Sequence, residues 1–156
     1  MYKHILLPTD GSALSRQAIS AGIQLARSLG ASVVGMHVLP HPHKDQLEAW
    51  MHHDPDHTKR WQALLDKFAD DYLKAIAEAA EAANVPCACC KAVGDDPAGA
   101  IVHAAQTRRC DLIYIGSHGW SPDKGALLGS VTLKVLHESG VPVLVHKVAR
   151  AARAAP

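Results

Sequence analysis

The stretch richest in chemistry is Gly116-Ser117-His118-Gly119, followed after nine residues by Gly129-Ser130-Val131-Thr132. Glycines let backbone amides approach a ligand with no Cβ in the way. An apolar pattern resumes after Ser130, so the second cluster is expected to open a helix. The first turn of a helix offers unpaired N–H donors and the positive end of its dipole. Hydroxyls at Ser130 and Thr132 would add donors beside those amides, and together these groups suit a phosphate without a large formal charge. A plainer reading is also open, in which the glycines serve turns and Ser130 is an ordinary N-cap. A second polar loop, Pro8-Thr9-Asp10-Gly11-Ser12, follows the first apolar run. Asp10 could cap the next helix there, a job Ser12 could equally hold.

Other constellations are weaker. His41, His43, His52, His53 and His57 share one polar stretch with Asp45, Asp54 and Asp56. Imidazole and carboxylate suit zinc or nickel. Adjacent His52-His53 and the interruptions at Pro42 and Pro55 nevertheless give no fixed ligand face, so a solvated loop is expected and no metal is assigned. Cys87, Cys89 and Cys90 crowd into one segment while Cys110 stands apart, without the spacing of zinc knuckles, redox motifs or secreted disulfide frameworks. If that segment is a strand, Cys87 and Cys89 point to one face and Cys90 to the other. Buried thiols in a sheet are the expectation. The sequence contains no GxxxxGK[ST] loop and no Gly-x-Ser-x-Gly elbow. No catalytic residue is assigned.

The elements that must position these groups follow from periodicity. Short apolar runs at 4–8, 31–39, 85–93, 111–115 and 141–145 read as strands, and three of them are continuously apolar, as strands covered on both faces are. Between them, Leu14, Ala18, Ala21, Gly22, Leu25 and Leu29 recur at helical spacing, with Gly30 as a stop. A second stripe holds Trp61, Leu64, Leu65, Phe68, Tyr72, Leu73 and Ile76, ending near Asn84. Asp96-Pro97 caps a third helix carrying Ile101, Ala104 and Ala105 to about Arg108. A fourth runs from Gly129-Ser130 through Leu133, Val135 and Leu136 to Gly140.

This alternation predicts an α/β fold: one domain, doubly wound and Rossmann-like, with a five-stranded parallel sheet and helices on both faces. In the order 3-2-1-4-5, strands 1 and 4 are neighbours at the reversal, so both polar loops would open into one crevice. The chain's 156 residues suit a single core, and 48% hydrophobic with 20% charged residues is ordinary globular composition. Sixteen Lys and Arg against fifteen Asp and Glu give no pull toward nucleic acid. No apolar run approaches the roughly 18 residues of a membrane span, and the first residues are too short an apolar stretch for a signal peptide. A cytoplasmic protein is expected. Lys147, Arg150 and Arg153 form a small basic end.

Gly116-x2-Gly119-x9-Gly129-Ser130 resembles the nucleotide-binding signature of the universal stress protein family. Pro8 to Ser12, Asp111 to Gly119, Leu127 to Val131 and Val141 to Val145 resemble that family's first loop, fourth strand and turn, last helix start and last strand. The resemblance implies a domain over residues 1–148 with a flexible tail at 149–156, and an ATP site in which magnesium could take part. Pro8, Thr9 and Asp10 would border it, with Asp10 accepting from ribose hydroxyls. Val38 would lie against adenine, Gly116, Ser117, His118 and Gly119 would wrap ribose and phosphates, and Gly129, Ser130, Val131 and Thr132 would cradle phosphates. The family also implies a homodimer through the last strand, 141–147, a stress-response role with protein partners, and at most slow magnesium-dependent ATP hydrolysis. A nucleotide-free interaction module is the remaining alternative. One departure bears on affinity: family members that bind ATP often carry Lys or Arg after the second glycine, where this chain has Trp120, with Lys124 nearby.

Overall fold

In the computed structural model, which describes residues 1–42, 48, 54, 56–119 and 127–147, the strands are β1 (His4–Thr9), β2 (Ser32–Leu39), β3 (Cys87–Val93), β4 (Leu112–Gly116) and β5 (Val143–His146). The helices that connect them are α1 (Ala13–Leu29), α2 (His57–Ala82), α3 (Pro97–Thr107) and α4 (Ser130–Glu138). All pairings are parallel and the sheet order is β3-β2-β1-β4-β5, as the alternation predicts. His4 pairs with Ser32 and Thr9 with His37, while Gly116 pairs with His146. The carboxyl ends of β1 and β4 therefore lie side by side.

Helices cover both faces because every central strand is apolar on both. Ile5, Leu6 and Leu7 are each 0% exposed. Ile5 and Leu7 pack with Ile19, Ile23, Leu73 and Ile76 beneath α1 and α2. Leu6 faces the other way, toward Ala98, Ile101 and Ala105 of α3 and Val135 of α4. At roughly 1.5–3 kcal/mol for each fully buried aliphatic side chain, β1 contributes more than its length suggests.

Several helix faces differ from the expected stripes. In α1 the buried residues are Ser15, Ala18, Ile19, Gly22, Ile23 and Ala26, while Ala21, Leu25 and Leu29 pack only at the margin of the core. The branched Ile19 and Ile23, rather than the leucines, meet the sheet. In α2 only Ala69, Leu73, Ile76 and Ala80 are buried; Leu64 and Phe68 are exposed, off the arc that meets the sheet, although Lys91 of β3 still reaches Asp66 and Asp70 on this half of the helix. In α4, Thr132 and Val135 are buried while Leu133 and Leu136 face outward. That helix stops at Glu138 rather than Gly140: Ser139 turns extended, and its hydroxyl donates to the Val141 carbonyl at 2.7 Å. β5 starts two residues later than expected, since Pro142 has no N–H and enters the sheet only through its carbonyl, which accepts from Ile113.

The thiols also depart from expectation. β3 is an edge strand, so Cys89 is exposed and Cys87 and Cys90 are half-buried; only Cys110 is buried. Their facing is as read: Cys87 lies toward α2 and Cys90 toward α3.

Candidate functional site

β1 delivers Pro8 and Thr9, both buried, and then Asp10 and Gly11. This loop closes on itself. The Gly11 amide donates to Thr9 Oγ1 at 3.1 Å, and Thr9 Oγ1 lies 3.0 Å from Ser15 Oγ. Ser15 Oγ donates to the Ser12 carbonyl, and Ser12 Oγ accepts from the Ser15 amide, which makes Ser12 the N-cap of α1. Asp10 is therefore not the cap; its Oδ1 accepts from the Ser12 amide at 2.9 Å and orients the carboxylate. Gly11 has φ 80°, a left-handed conformation, and the Tyr72 ring lies where a Cβ would stand. His37 Nδ1 donates to the Thr9 carbonyl at 2.8 Å, and its ring meets Tyr72 edge-on at 5.3 Å. Arg16 Nη1 donates to the Gly11 carbonyl at 2.6 Å.

β4 ends at Gly116, and the chain turns through Ser117, His118 and Gly119. Ser117 is buried, its amide donating to the His146 carbonyl at 2.9 Å. His118 Nδ1 lies 3.2 Å from Ser117 Oγ. Gly119 packs directly on Asp10: a Cβ built on it would overlap Asp10 Oδ2 and lie 3.4 Å from Asp10 Cγ. Residues 120–126, which include Trp120 and Lys124, lie outside the described residues.

The chain returns at 127, and Gly129 donates its amide to the Ser117 carbonyl at 2.7 Å. A Cβ on Gly129 would stand 3.3 Å from His118 Cα, so this backbone lies on the turn after β4. Gly129, not Ser130, is the N-cap of α4, and it caps without a side chain. Ser130 is exposed, and among the described residues no acceptor meets the amides of Ser130, Val131 and Thr132. Thr132 serves differently from its expected role. It is 3% exposed, and its hydroxyl donates to the Gly116 carbonyl at 2.8 Å, fastening α4 to the end of β4.

Asp10, Gly119, His118 and Gly129 are thus contiguous, and Ser130 follows at the same mouth. Val38 is the penultimate residue of β2, pairing with Ala92 and packing on the α3 side of the sheet. On that side Asp96 caps α3 and accepts from Lys134 Nζ at 2.9 Å. The Gly99 amide foremost, then Lys134, holds the Asp96 carboxyl below the usual range. The mouth supplies hydroxyls and backbone amides with one carboxylate, a set that suits a phosphorylated sugar better than proton transfer. Tyr72, Arg16 and His37 were not singled out for this region by the sequence. Arg16 stands four residues after Ser12, a spacing that brings its side chain back over the helix start. Tyr72 carries no comparable signal, because its partner Gly11 lies 61 positions away in the chain.

The histidine-rich stretch offers less. The His41 amide donates to Asp95 and His57 begins α2, while His43, His52 and His53 lie outside the described residues. Among the described residues no group of three or more His, Cys, Asp or Glu side chains could hold a metal ion. No described helix is long and apolar enough to cross a membrane.

Comparison with known proteins identifies relatives of the chain as a whole. A universal stress protein of Methanocaldococcus jannaschii is 31% identical over 150 residues, covering 94% of this chain and 83% of that protein. The universal stress protein Rv1636 of Mycobacterium tuberculosis is 30% identical over 144 residues, covering 92% of this chain and 95% of that protein. Among solved structures, the protein MJ0577 superposes with a TM-score of 0.79 at 28% identity, covering 97% of this chain and 99% of its own. A universal stress protein in complex with cAMP superposes with a TM-score of 0.69 at 26% identity, covering 95% and 99%. A model of the universal stress protein family matches residues 1–147, and the chain belongs to that family.

Proposed function

We propose that the mouth between β1 and β4 binds an adenine nucleotide, and that the chain acts in the stress response as a cytoplasmic nucleotide-responsive binding protein. The supporting observation is the direct packing of Gly119 on Asp10, which joins two loops more than a hundred positions apart into one wall. A structural neighbour in complex with cAMP supports the same ligand class. The ligand we assign is ATP. Asp10, positioned through the Ser12 amide, accepts from the ribose hydroxyls. Pro8 and Thr9 form the floor of that loop and Val38 lies against the base. Gly116, Ser117, His118 and Gly119 surround ribose and phosphates. Gly129, Ser130 and Val131 offer the open end of α4 to the phosphates, and Thr132 holds that helix end in place. Magnesium would be carried by the phosphates, whose charge the neutral amides leave largely uncompensated.

ATP titration by calorimetry, with nucleotide extraction and mass spectrometry of the denatured protein, tests this reading. Binding is expected in the wild type. Gly119→Val, which displaces the Asp10 carboxylate, is expected to weaken it by about tenfold or more, the equivalent of one good hydrogen bond. A wild type that carries no nucleotide and gives no response to millimolar ATP would instead establish a nucleotide-free module.

We also propose a homodimer through residues 141–147. β5 is an edge strand with Leu144 38% exposed, and the neighbouring α4 presents Leu133 at 53% and Leu136 at 41%. Apolar edges left open invite pairing. Light scattering is expected to report a dimer that Leu144→Asp converts to monomer.

A further inference from the structure

β3 is the edge of the sheet opposite β5, so the proposed dimer leaves it open. Its first and last bonds to β2 fix which backbone groups are used. The Pro86 carbonyl accepts from the Val33 amide at 2.8 Å, and the Gly94 amide donates to the Leu39 carbonyl at 2.9 Å. A parallel ladder engages alternate residues of each strand. Ala88, Cys90 and Ala92 therefore turn their backbone groups to β2, whereas those of Cys87, Cys89, Lys91 and Val93 point outward. Among the described residues no backbone group bonds to these outward amides and carbonyls. Edges of this kind are ordinarily blunted by brevity, proline or charge. β3 runs for 7 residues, and its one charged side chain, Lys91, is held against α2 by Asp66 at 3.0 Å and Asp70 at 2.9 Å.

On the other face of the same strand, a cavity of about 400 Å³ lies between β3 and α3. Met36, Cys90 and Ala92 line it from the sheet and Ala104 from the helix, while the exposed His103 and Arg108 stand at its lip. Among the described residues no Asp or Glu lines it.

One occupant satisfies both features. A strand laid along β3 bonds through its backbone to the outward groups and sends every second side chain over the α3 face, beside the cavity and Arg108. The two faces set its composition. On the α3 side an apolar side chain suits the cavity and a carboxylate suits Arg108. On the α2 side Asp66 and Asp70 already hold Lys91 and would repel a further acid, so uncharged side chains belong there. A second copy of β3 does not match, since its sequence carries a lysine and no acid. We propose that β3 is a docking edge for an extended, acidic segment of a partner protein, which adds as a further strand with its carboxylates toward Arg108.

The test titrates the full chain with a fluorescent peptide as long as β3, in which threonine alternates with glutamate around a central leucine. A counterpart carries lysine in place of glutamate. Saturable binding of the glutamate peptide alone is expected, weakened about tenfold by Arg108→Glu. Hydrogen exchange on the unmutated protein gives a readout independent of any variant. The peptide is expected to slow the amides of Cys87, Cys89, Lys91 and Val93, leaving unchanged those of Ala88, Cys90 and Ala92 that already bond to β2. No binding at millimolar peptide, equal binding of the lysine counterpart, full affinity in Arg108→Glu, or protection without this alternation would each overturn the proposal. Outward amides already protected in the peptide-free protein would overturn it too, because the edge would then be covered by this chain or by a second copy of it.

Discussion

After β1 the chain spends its polar side chains on closing its own loop, whereas the helix that follows β4 opens with amides that meet no acceptor among the described residues. Thr9, Ser12 and Ser15 bond among themselves and to their own backbone, and Ser12 caps α1 with its side chain. Gly129 caps α4 with no side chain, and the amides that follow meet no acceptor among the described residues. Both segments sit at helix starts at the carboxyl end of the sheet, so the dipole argument alone would make them equivalent anion sites. They are not equivalent. The first loop is a preorganised wall that aims a single carboxylate, and the second offers donors. On the proposed function, this division would let one side hold a sugar while the other meets charge.

The comparison can be broken most severely at Gly11. If the first loop is rigid, Gly11→Ala must both strain a left-handed residue and push on the Tyr72 ring. A loss of about 3 kcal/mol is expected in urea unfolding; a cost near zero would mean the wall yields. Next comes Thr132→Val, which leaves the buried Gly116 carbonyl without its hydroxyl donor. About 2 kcal/mol is expected, together with weaker ATP binding as α4 loosens from β4. Ser12→Ala removes only the side-chain cap of α1 and should cost about 1 kcal/mol by the same measurement. Ser130→Ala is the sharpest contrast. Its hydroxyl is exposed, so stability should change by no more than about 0.5 kcal/mol. ATP affinity should nevertheless fall by about fivefold as a phosphate donor is lost. A stability loss at Ser130 matching that at Ser12 would erase the distinction between the two helix starts.

Much of the fold could be read from local pattern. Asp96-Pro97 reads as a helix start, and Asp96 accepts from Gly99 there. Asn84 reads as a stop, and it takes φ 55° just beyond α2. The helix faces were less legible. In α1, Leu25 and Leu29 match the helical period as well as Ile19 and Ile23 do, and periodicity cannot say which arc of a broadly apolar helix will meet the sheet. Leu64 and Phe68 extend a regular stripe, but the buried arc runs through Ala69, Leu73 and Ile76 and leaves them exposed.

At the mouth, residue types alone marked the glycines and Ser130, because close backbone approach and an open helix start leave a compositional trace, while Asp10 was marked through the family resemblance. Roles came from three dimensions. Whether Asp10 or Ser12 caps α1, and whether Thr132 faces a ligand or the Gly116 carbonyl, depends on side-chain directions that spacing leaves degenerate. The contact of Tyr72 with Gly11, like that of Gly119 with Asp10, joins residues far apart along the chain. Apolar periodicity is a local property and is written along the chain; the meeting of distant loops depends on how the sheet orders its strands, and no window of sequence contains it.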